Sequence, residues 1–230
     1  MTDLKDKYYM RRALALAVRA FGETEPNPVV GAVVVRDGRI VGKGWHEKAG
    51  GKHAEVVALE DAGSEAEGAT IYVTLEPCNH HGKTGPCSEL IVKKGIKRVV
   101  YSLGDPNEKA SGGAEFLEKS GIDVCHGVLK GETEQVLFSW LYYLAHGSFP
   151  KVVIASVGIE GKLLDYKNRF LEKYFSKAKY LDSGSFDADF LLLVRTTLVG
   201  GESWAEKDLD LELRKVWKLA NNSYSLYRIC

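Results

Sequence analysis

His53-Ala54-Glu55 is followed along the chain by Cys78 and then by Cys87. This stretch supplies one imidazole, one carboxylate and two thiols, which are the side chains that a catalytic zinc centre uses. Such a centre takes three protein ligands and leaves a fourth position for water. We therefore predict that His53, Cys78 and Cys87 bind Zn²⁺. Glu55 is expected to move protons during catalysis without binding the metal.

The surrounding sequence predicts how these side chains meet. His53 and Glu55 fall in the first turn of one predicted helix, and Cys87 follows Pro86 at the start of another, a position that suits proline. Two helix N-termini facing one point favour thiolates through their dipoles. With an amidine-type ring as substrate, the predicted chemistry is hydrolytic removal of an amino group, with Glu55 as the proton shuttle.

A closed structural zinc site is the main alternative. His80 or His81 would then be the fourth ligand, and no position would remain for water. A lone His or Cys is also more often structural than catalytic. The presence of Glu55 favours catalysis, because a structural zinc site has no use for a neighbouring carboxylate that is not a ligand.

Composition excludes several classes of function. Lys and Arg total 31, as do Asp and Glu, so the net charge is zero and the basic surface of a nucleic-acid-binding protein is not indicated. No apolar run approaches the ~18 residues of a membrane span, and the N-terminal residues have no apolar signal core. We expect a cytoplasmic protein without a nucleic-acid or membrane partner. Four cysteines in 230 residues do not indicate a disulfide framework.

Hydrophobic spacing predicts alternating helices and strands. Predicted helices cover residues 5–21, 53–62, 86–94, 113–120 and 132–146. Predicted strands cover residues 29–35, 40–45, 71–75, 98–103 and 122–125. Asp37-Gly38 between the first two strands is a hairpin signal, so the sheet is mixed. The order predicts an α/β fold of three layers, α/β/α.

Gly147-Ser148-Phe149-Pro150 marks a predicted domain boundary. Residues 1–147 would form the zinc-dependent domain. In residues 148–230, the segments 151–157 and 190–199 are predicted as buried strands and 166–180 as helix-like. About 80 residues are few for an independent α/β domain. We therefore expect a short α/β remnant that packs on the first domain or on another subunit.

Residues 10–163 closely resemble the deaminase half of the bifunctional riboflavin-biosynthesis deaminase–reductase family. The matching motifs are PNPVVG at 26–31, GWH at 44–46, GKHAE at 51–55, YVTLEPCNHHGKT at 72–84 and DPN at 105–107. Eight residues separate Cys78 from Cys87, as in this family, whereas general cytidine deaminases usually have two.

The resemblance implies a cytidine-deaminase-like fold, with zinc on His53, Cys78 and Cys87 and a catalytic Glu55. It implies deamination of a diaminopyrimidinone that carries a ribosylamino 5′-phosphate. It also implies a substrate pocket, whose residues are Asn27, His46, His80, Lys83, Thr84, Asp105 and Asn107.

Each predicted pocket residue has a chemical role and a plainer alternative. An asparagine at position 27 offers a donor and an acceptor to a pyrimidinone edge. His46 and Lys83 are expected at the phosphate, and Asp105 and Asn107 at the ribose hydroxyls. Alternatively, Asn27 only shapes a Pro-Asn-Pro turn, and residues 105–107 form an ordinary loop.

In this family an NADPH-dependent reductase half follows, and it is longer than residues 148–230. Glycines expected near Val194 and Thr196 are missing, and glycine is what allows a backbone to approach a phosphate closely. We therefore expect a truncated, inactive reductase-like region that does not bind NADPH. A separate protein would carry out the reduction, and the chain would form a homodimer or a higher homo-oligomer. In the alternative, another subunit completes a working nucleotide site.

Two further functions remain open. A related deaminase could act on another pyrimidine or purine metabolite with the same zinc chemistry. A zinc-stabilised scaffold without catalysis belongs to a different class. The substitution Glu55→Gln separates these classes, because only a catalytic site loses activity while keeping zinc and fold.

Overall fold

The computed structural model describes residues 4–80, 85–107 and 110–148, together with the backbone of six strands between residues 152 and 229. The chain divides into two compact units, Met1–Leu141 and Tyr142–Cys230. Each unit is described by itself. No helix among the described residues has both the length and the apolar character needed to cross a membrane.

The helices and strands of residues 4–148 alternate in the predicted order. The helices are α1 (Leu4–Ala17), α2 (Ala54–Ala62), α3 (Cys87–Lys93), α4 (Gly113–Lys119), α5 (Lys130–Val136) and α6 (Phe138–His146). The strands are β1 (Gly31–Arg36), β2 (Arg39–Trp45), β3 (Thr70–Leu75), β4 (Arg98–Leu103) and β5 (Asp123–His126).

The five strands form one mixed sheet in the order β2-β1-β3-β4-β5. β1 is antiparallel to both β2 and β3, whereas β3, β4 and β5 run parallel. Asp37 and Gly38 form the hairpin turn, with φ angles of 50° and 75°. Both angles lie in the left-handed region that a tight two-residue hairpin needs, so the predicted hairpin is confirmed.

Successive residues of each strand face opposite layers. Val34 of β1 and Val99 of β4 lie in one core with Ala58 of α2, together with buried residues of α3 and α4. Val33 and Val100 lie in the other core, with buried residues of α1 and Val136 of α5 packed there. The sheet is therefore covered on both faces, as the three-layer prediction requires.

Two glycines of β2 allow α2 to lie against the sheet. A Cβ atom at Gly42 would lie 2.2 Å from the carbonyl oxygen of Ala58, and one at Gly44 would lie 2.3 Å from that of Ala54. No side chain larger than hydrogen fits at these distances. Because α2 begins directly after His53, this close packing fixes the place of the predicted ligand.

Two helix predictions differ from the structure. The predicted helix over 5–21 ends at Ala17 and continues as a 3₁₀ turn over Val18–Ala20. The single helix predicted over 132–146 is two helices, α5 and α6, because Leu137 leaves the helical conformation with φ −92° and ψ 7°. Leu137, the residue between the two helices, is 1% exposed and therefore packs in the core.

The strands described in the second unit form one sheet. They are β6 (Val152–Val157), β7 (Leu163–Leu164), β8 (Lys179–Tyr180), β9 (Phe190–Thr196), β10 (Leu211–Leu219) and β11 (Asn222–Ile229). Their order is β10-β11-β9-β6-β7, with β8 also paired to β6.

Two strands predicted in this region are present as β6 and β9, which run parallel. Of the helix-like stretch predicted over 166–180, residues 166–178 lie outside the described residues. Its last two residues are strand β8 rather than helix. The antiparallel pair β10 and β11 was not predicted, although apolar and charged residues alternate over the first four residues of β10, 211–214. Such alternation is typical of a strand with one buried face.

Candidate active site

Four segments of the chain meet at one edge of the first sheet. Gly31 at the start of β1 pairs with Trp45 at the end of β2, and the start of β1 also lies beside the end of β3. Leu75 and Leu103, at the ends of β3 and β4, are partners as well. The predicted site residues in these segments are Asn27 before β1, His46 after β2, Cys78 and His80 after β3, and Asp105 and Asn107 after β4.

The three predicted zinc ligands lie together. Nδ1 of His53 is 3.5 Å from Sγ of Cys78 and 3.3 Å from Sγ of Cys87. All three ligand atoms lie within 4.8 Å of one another. Tetrahedral zinc, with Zn–S near 2.3 Å and Zn–N near 2.0–2.1 Å, holds a sulfur and a nitrogen about 3.5 Å apart. The donor set and its spacing therefore fit zinc.

Each ligand lies at or near the end of a helix or strand, next to a loop. His53 has extended backbone angles and directly precedes α2, so it caps the helix and does not lie in its first turn as predicted. Cys87 is the first residue of α3, after Pro86. Cys78 lies in the turn after β3, where its Sγ accepts a hydrogen bond from the backbone N–H of Cys87 at 3.5 Å.

Two hydrogen bonds of Ser88 also hold the two ends of the segment 78–87 together. The backbone N–H of Ser88 donates to the carbonyl oxygen of Cys78 at 3.2 Å. The Ser88 hydroxyl, which is fully buried, donates to Oδ1 of Asn79 at 2.7 Å. These bonds keep the two thiols at a fixed separation without involving their sulfur atoms. Sequence reasoning missed this pair.

The three ligand side chains shift one another's pKa values. The contact with Cys78 raises the pKa of His53 to about 9. Hydrogen bonds from Cys87 and His53 lower the pKa of Cys78 to about 4, although burial opposes the shift. The same thiol contact, together with burial, raises the pKa of Cys87. Zinc binding would therefore displace protons from His53 and Cys87.

Glu55 lies in the first turn of α2, two residues after His53, and is 4% exposed. It is not a member of the cluster of ligand atoms. Burial is the largest influence on its carboxyl group and raises the pKa of Glu55 to about 7. A buried carboxyl beside a group of metal ligands matches the position predicted for a proton shuttle.

His46 is 5% exposed, and its ring lies 5.8 Å from that of His53 between centroids. Its Nδ1 is 3.0 Å from the carbonyl oxygen of Lys52. A carbonyl only accepts, so Nδ1 carries the hydrogen. Burial lowers the pKa of His46, against an opposing effect of that bond. A neutral ring then offers Nε2 as an acceptor, which suits a hydrogen-bond donor better than the phosphate predicted for it.

The remaining pocket predictions are only partly described. Asn27 is exposed, and its backbone N–H donates to the carbonyl oxygen of Thr24 at 2.8 Å. Asp105 is half-buried, which raises its pKa, and its Oδ1 accepts from the N–H of the exposed Asn107 at 2.8 Å. His80 is exposed and is not part of the cluster. The predicted Lys83 and Thr84, and His81 of the closed-site alternative, lie outside the described residues.

Sequence reasoning also missed Glu76, which directly follows β3. Its carboxylate accepts hydrogen bonds from backbone N–H groups of Asp105, Gly112 and Ala114. A charged residue at the end of a fully buried strand was the available signal, because such a group needs several partners.

Known proteins resemble this chain in sequence. Residues 3–103 match the family model of the cytidine and deoxycytidylate deaminase zinc-binding region. The riboflavin biosynthesis protein RibD of Escherichia coli (strain K12) is 51% identical over 150 residues, which cover 65% of this chain and 41% of that protein. The diaminohydroxyphosphoribosylamino-pyrimidine deaminase of Buchnera aphidicola subsp. Schizaphis graminum is 50% identical over 133 residues, which cover 57% of this chain and 90% of that protein.

The first of these relatives is much longer than the region that matches, since the chain spans 41% of its length. A solved structure of a diaminohydroxyphosphoribosylaminopyrimidine deaminase/5-amino-6-(5-phosphoribosylamino)uracil reductase from Thermotoga maritima aligns with a TM-score of 0.72. That alignment covers 98% of this chain and 99% of the other, at 22% identity, and it confirms the predicted fold. By its sequence, the chain belongs to the zinc-dependent deaminase family that includes the diaminohydroxyphosphoribosylaminopyrimidine deaminases of riboflavin biosynthesis.

Proposed function

We propose that this chain catalyses the hydrolytic deamination of a diaminohydroxypyrimidine that carries a ribosylamino 5′-phosphate, as a step of riboflavin biosynthesis. The observation that carries the proposal is the buried Glu55 beside a cluster of His53, Cys78 and Cys87 with the ligand spacing of zinc. The substrate class is taken from the related deaminases of riboflavin biosynthesis.

In this reaction water adds to the ring carbon that bears the amine. The carbon–nitrogen bond then breaks, ammonia leaves, and the oxygen stays on the ring. His53, Cys78 and Cys87 would hold the metal. When bound, zinc would supply the Lewis acidity that makes water a nucleophile near neutral pH. Glu55 would accept a proton from the attacking water and deliver protons to the ring nitrogen and the departing amine.

The environment of Glu55 suits both directions of proton transfer. Burial raises the pKa of Glu55 to about 7, and a neighbouring cation would lower that pKa again. A carboxyl group with a pKa between its ordinary value and neutrality is deprotonated often enough to act as a base. Once protonated, it remains acidic enough to return the proton.

The substrate contacts form part of the proposal. Asn27 would pair with the pyrimidinone edge, Asp105 and Asn107 would bind the ribose hydroxyls, and Lys83 would meet the phosphate. The other proposed contacts are His46, His80 and Thr84. These contacts are supported by the position of the described members of the set, which lie next to strand ends that meet at one edge of the sheet.

We further propose that residues 1–147 form the deaminase domain and that residues 148–230 are a reductase-like region without NADPH-dependent activity. Val194 and Thr196 stand in β9, where the resembling family has glycines near a phosphate. A separate protein would then reduce the product. The chain would work in the cytoplasm as a homodimer or a higher homo-oligomer.

The test uses zinc-loaded protein, the diamino-ribosylaminopyrimidinone 5′-phosphate and mass spectrometry, with and without NADPH. We expect a product about one mass unit heavier, since an amino group is replaced by an oxygen group, and no further change with NADPH. Glu55→Gln, with matching size and no carboxylate, should keep its zinc and lose about 10²–10⁴-fold in rate. Unchanged substrate in the presence of zinc-loaded protein would refute the substrate assignment. A further gain of about two mass units with NADPH would instead show a working reductase.

A further inference from the structure

Glu76 is the first residue after β3 and lies two positions before Cys78. Its half-buried carboxylate accepts three backbone hydrogen bonds. Oε1 accepts from the N–H groups of Gly112 and Ala114, each at 3.1 Å, and Oε2 accepts from the N–H of Asp105 at 3.3 Å. One side chain therefore connects the turn that carries Cys78 to two segments that follow β4.

The first of these segments is the start of α4. Its first amides have no partner within the helix, and a carboxylate is favoured there by the helix dipole. The packing is tight, because a Cβ atom at Gly113 would lie 1.8 Å from the carbonyl oxygen of Pro77. The backbone N–H of Asn79 also donates to the carbonyl oxygen of Ala110 at 3.0 Å. The start of α4 is thus fixed against the turn formed by residues 76–79.

The second segment is the loop of residues 104–107. Glu76 holds the backbone of Asp105, while the side chain of Asp105 accepts from the N–H of Asn107 at 2.8 Å. The loop is also linked through Asn107, whose carbonyl oxygen accepts from the backbone N–H groups of Ala110 and Ser111 at 2.8 and 3.0 Å. Loss of the Glu76 bond would remove the direct link between Asp105 and the turn of Cys78, while the link through Asn107 would remain.

We propose that Glu76 is a positioning residue that holds the loop of Asp105 and Asn107 in place relative to the turn of Cys78. This inference rests on the proposed function, in which that loop binds the ribose. None of the three bonds involves a sulfur or the imidazole, so Glu76 acts on substrate placement and not on metal binding. A contact far from the reacting carbon contributes mainly uniform binding, which changes KM more than kcat.

The substitution Glu76→Gln tests this role because it keeps the size of the side chain and removes one of its two acceptor oxygens. A carboxamide has a single acceptor oxygen. With that oxygen towards Gly112 and Ala114, its NH₂ group faces the N–H of Asp105, donor against donor. We expect KM to rise roughly ten- to hundredfold, kcat to change by less than about threefold, and zinc to stay at one per chain.

Glu115→Gln is the matched control. It removes the same charge from an exposed residue in the first turn of α4, where Glu115 pairs with Lys119, and it should leave KM and kcat unchanged. Loss of zinc from Glu76→Gln, or a fall in kcat at constant KM, would overturn the inference. An equal rise of KM in both variants would overturn it too, because the effect would then belong to charge alone.

Hydrogen exchange of the wild-type chain tests the geometry without turnover. The amides of Asp105, Gly112 and Ala114 should exchange slowly, and that of Asp105 faster after Glu76→Gln. Exchange in the wild type at the rate of unbonded loop amides would contradict the inference, even if the variant failed to fold. A wild-type chain without activity would refute the proposed function instead, since these exchange rates do not depend on substrate.

Discussion

Gly44→Ala should damage the candidate site by displacing α2. The added Cβ would lie 2.3 Å from the carbonyl oxygen of Ala54 and 2.4 Å from the backbone nitrogen of Ala58. Carbon reaches ordinary contact at roughly 3.5 Å, so β2 and α2 must separate by about 1 Å. Such overpacking typically costs about 1–3 kcal/mol of stability. Because α2 carries Glu55 and begins directly after His53, a shift of ~1 Å should also lower kcat/KM by about 100-fold.

The assay combines urea unfolding with zinc content and deamination rate. Gly131→Ala is the matched control, because Gly131 lies in α5 and an added Cβ there meets no atom within 4 Å. Alanine in a helix is favoured over glycine by up to about 1 kcal/mol, so the control should be neutral or slightly more stable. If Gly44→Ala kept wild-type stability and rate, the close packing of α2 on β2 would not be what positions the site.

Two other predictions concern the ion pair of Asp6 with Arg98 and the imidazole of His46. Asp6→Asn removes the partner of Arg98, which donates to the two Asp6 oxygens at 2.8 and 3.0 Å. Because the arginine is partly exposed, we expect a loss of about 1–3 kcal/mol in urea unfolding without a change in kcat. Asp123→Asn, on the exposed side of the same arginine, should cost less than about 1 kcal/mol, and an equal cost would contradict this account. Burial lowers the pKa of folded His46 from 6.5. Its contribution to stability is therefore full above pH 6.5 and is lost as pH falls through the lower folded pKa. Relative to His46→Gln, the wild type should thus lose stability below about pH 6.5, whereas a constant difference would contradict the shift.

The elements predicted best are those with a strong local signal. Asp37-Gly38 between two apolar runs predicts a hairpin, and the structure has it with left-handed backbone angles at both residues. His53, Cys78 and Cys87 were likewise grouped correctly in space, because each stands at a junction between an element and a loop. Their roles in binding and catalysis stay predictions.

The features that were not predicted depend on contacts between distant parts of the chain. Glu76 bonds to backbone amides 29–38 residues away, and backbone amides carry no side-chain signature in the sequence. The bend at Leu137 lies within a continuous helical pattern, so periodicity alone places no boundary there. The bond from His46 to the Lys52 carbonyl depends on folding of the segment between them, and it places the hydrogen of the neutral ring on Nδ1.

Titration of the metal-free chain with zinc, with ammonia release as the readout, tests the central claim most directly. We expect no ammonia from the metal-free protein, a rate that rises in proportion to added zinc, and a break at about one zinc per chain. One bound zinc without ammonia release would support a closed structural site. Full activity in the metal-free protein would contradict the zinc-dependent mechanism altogether.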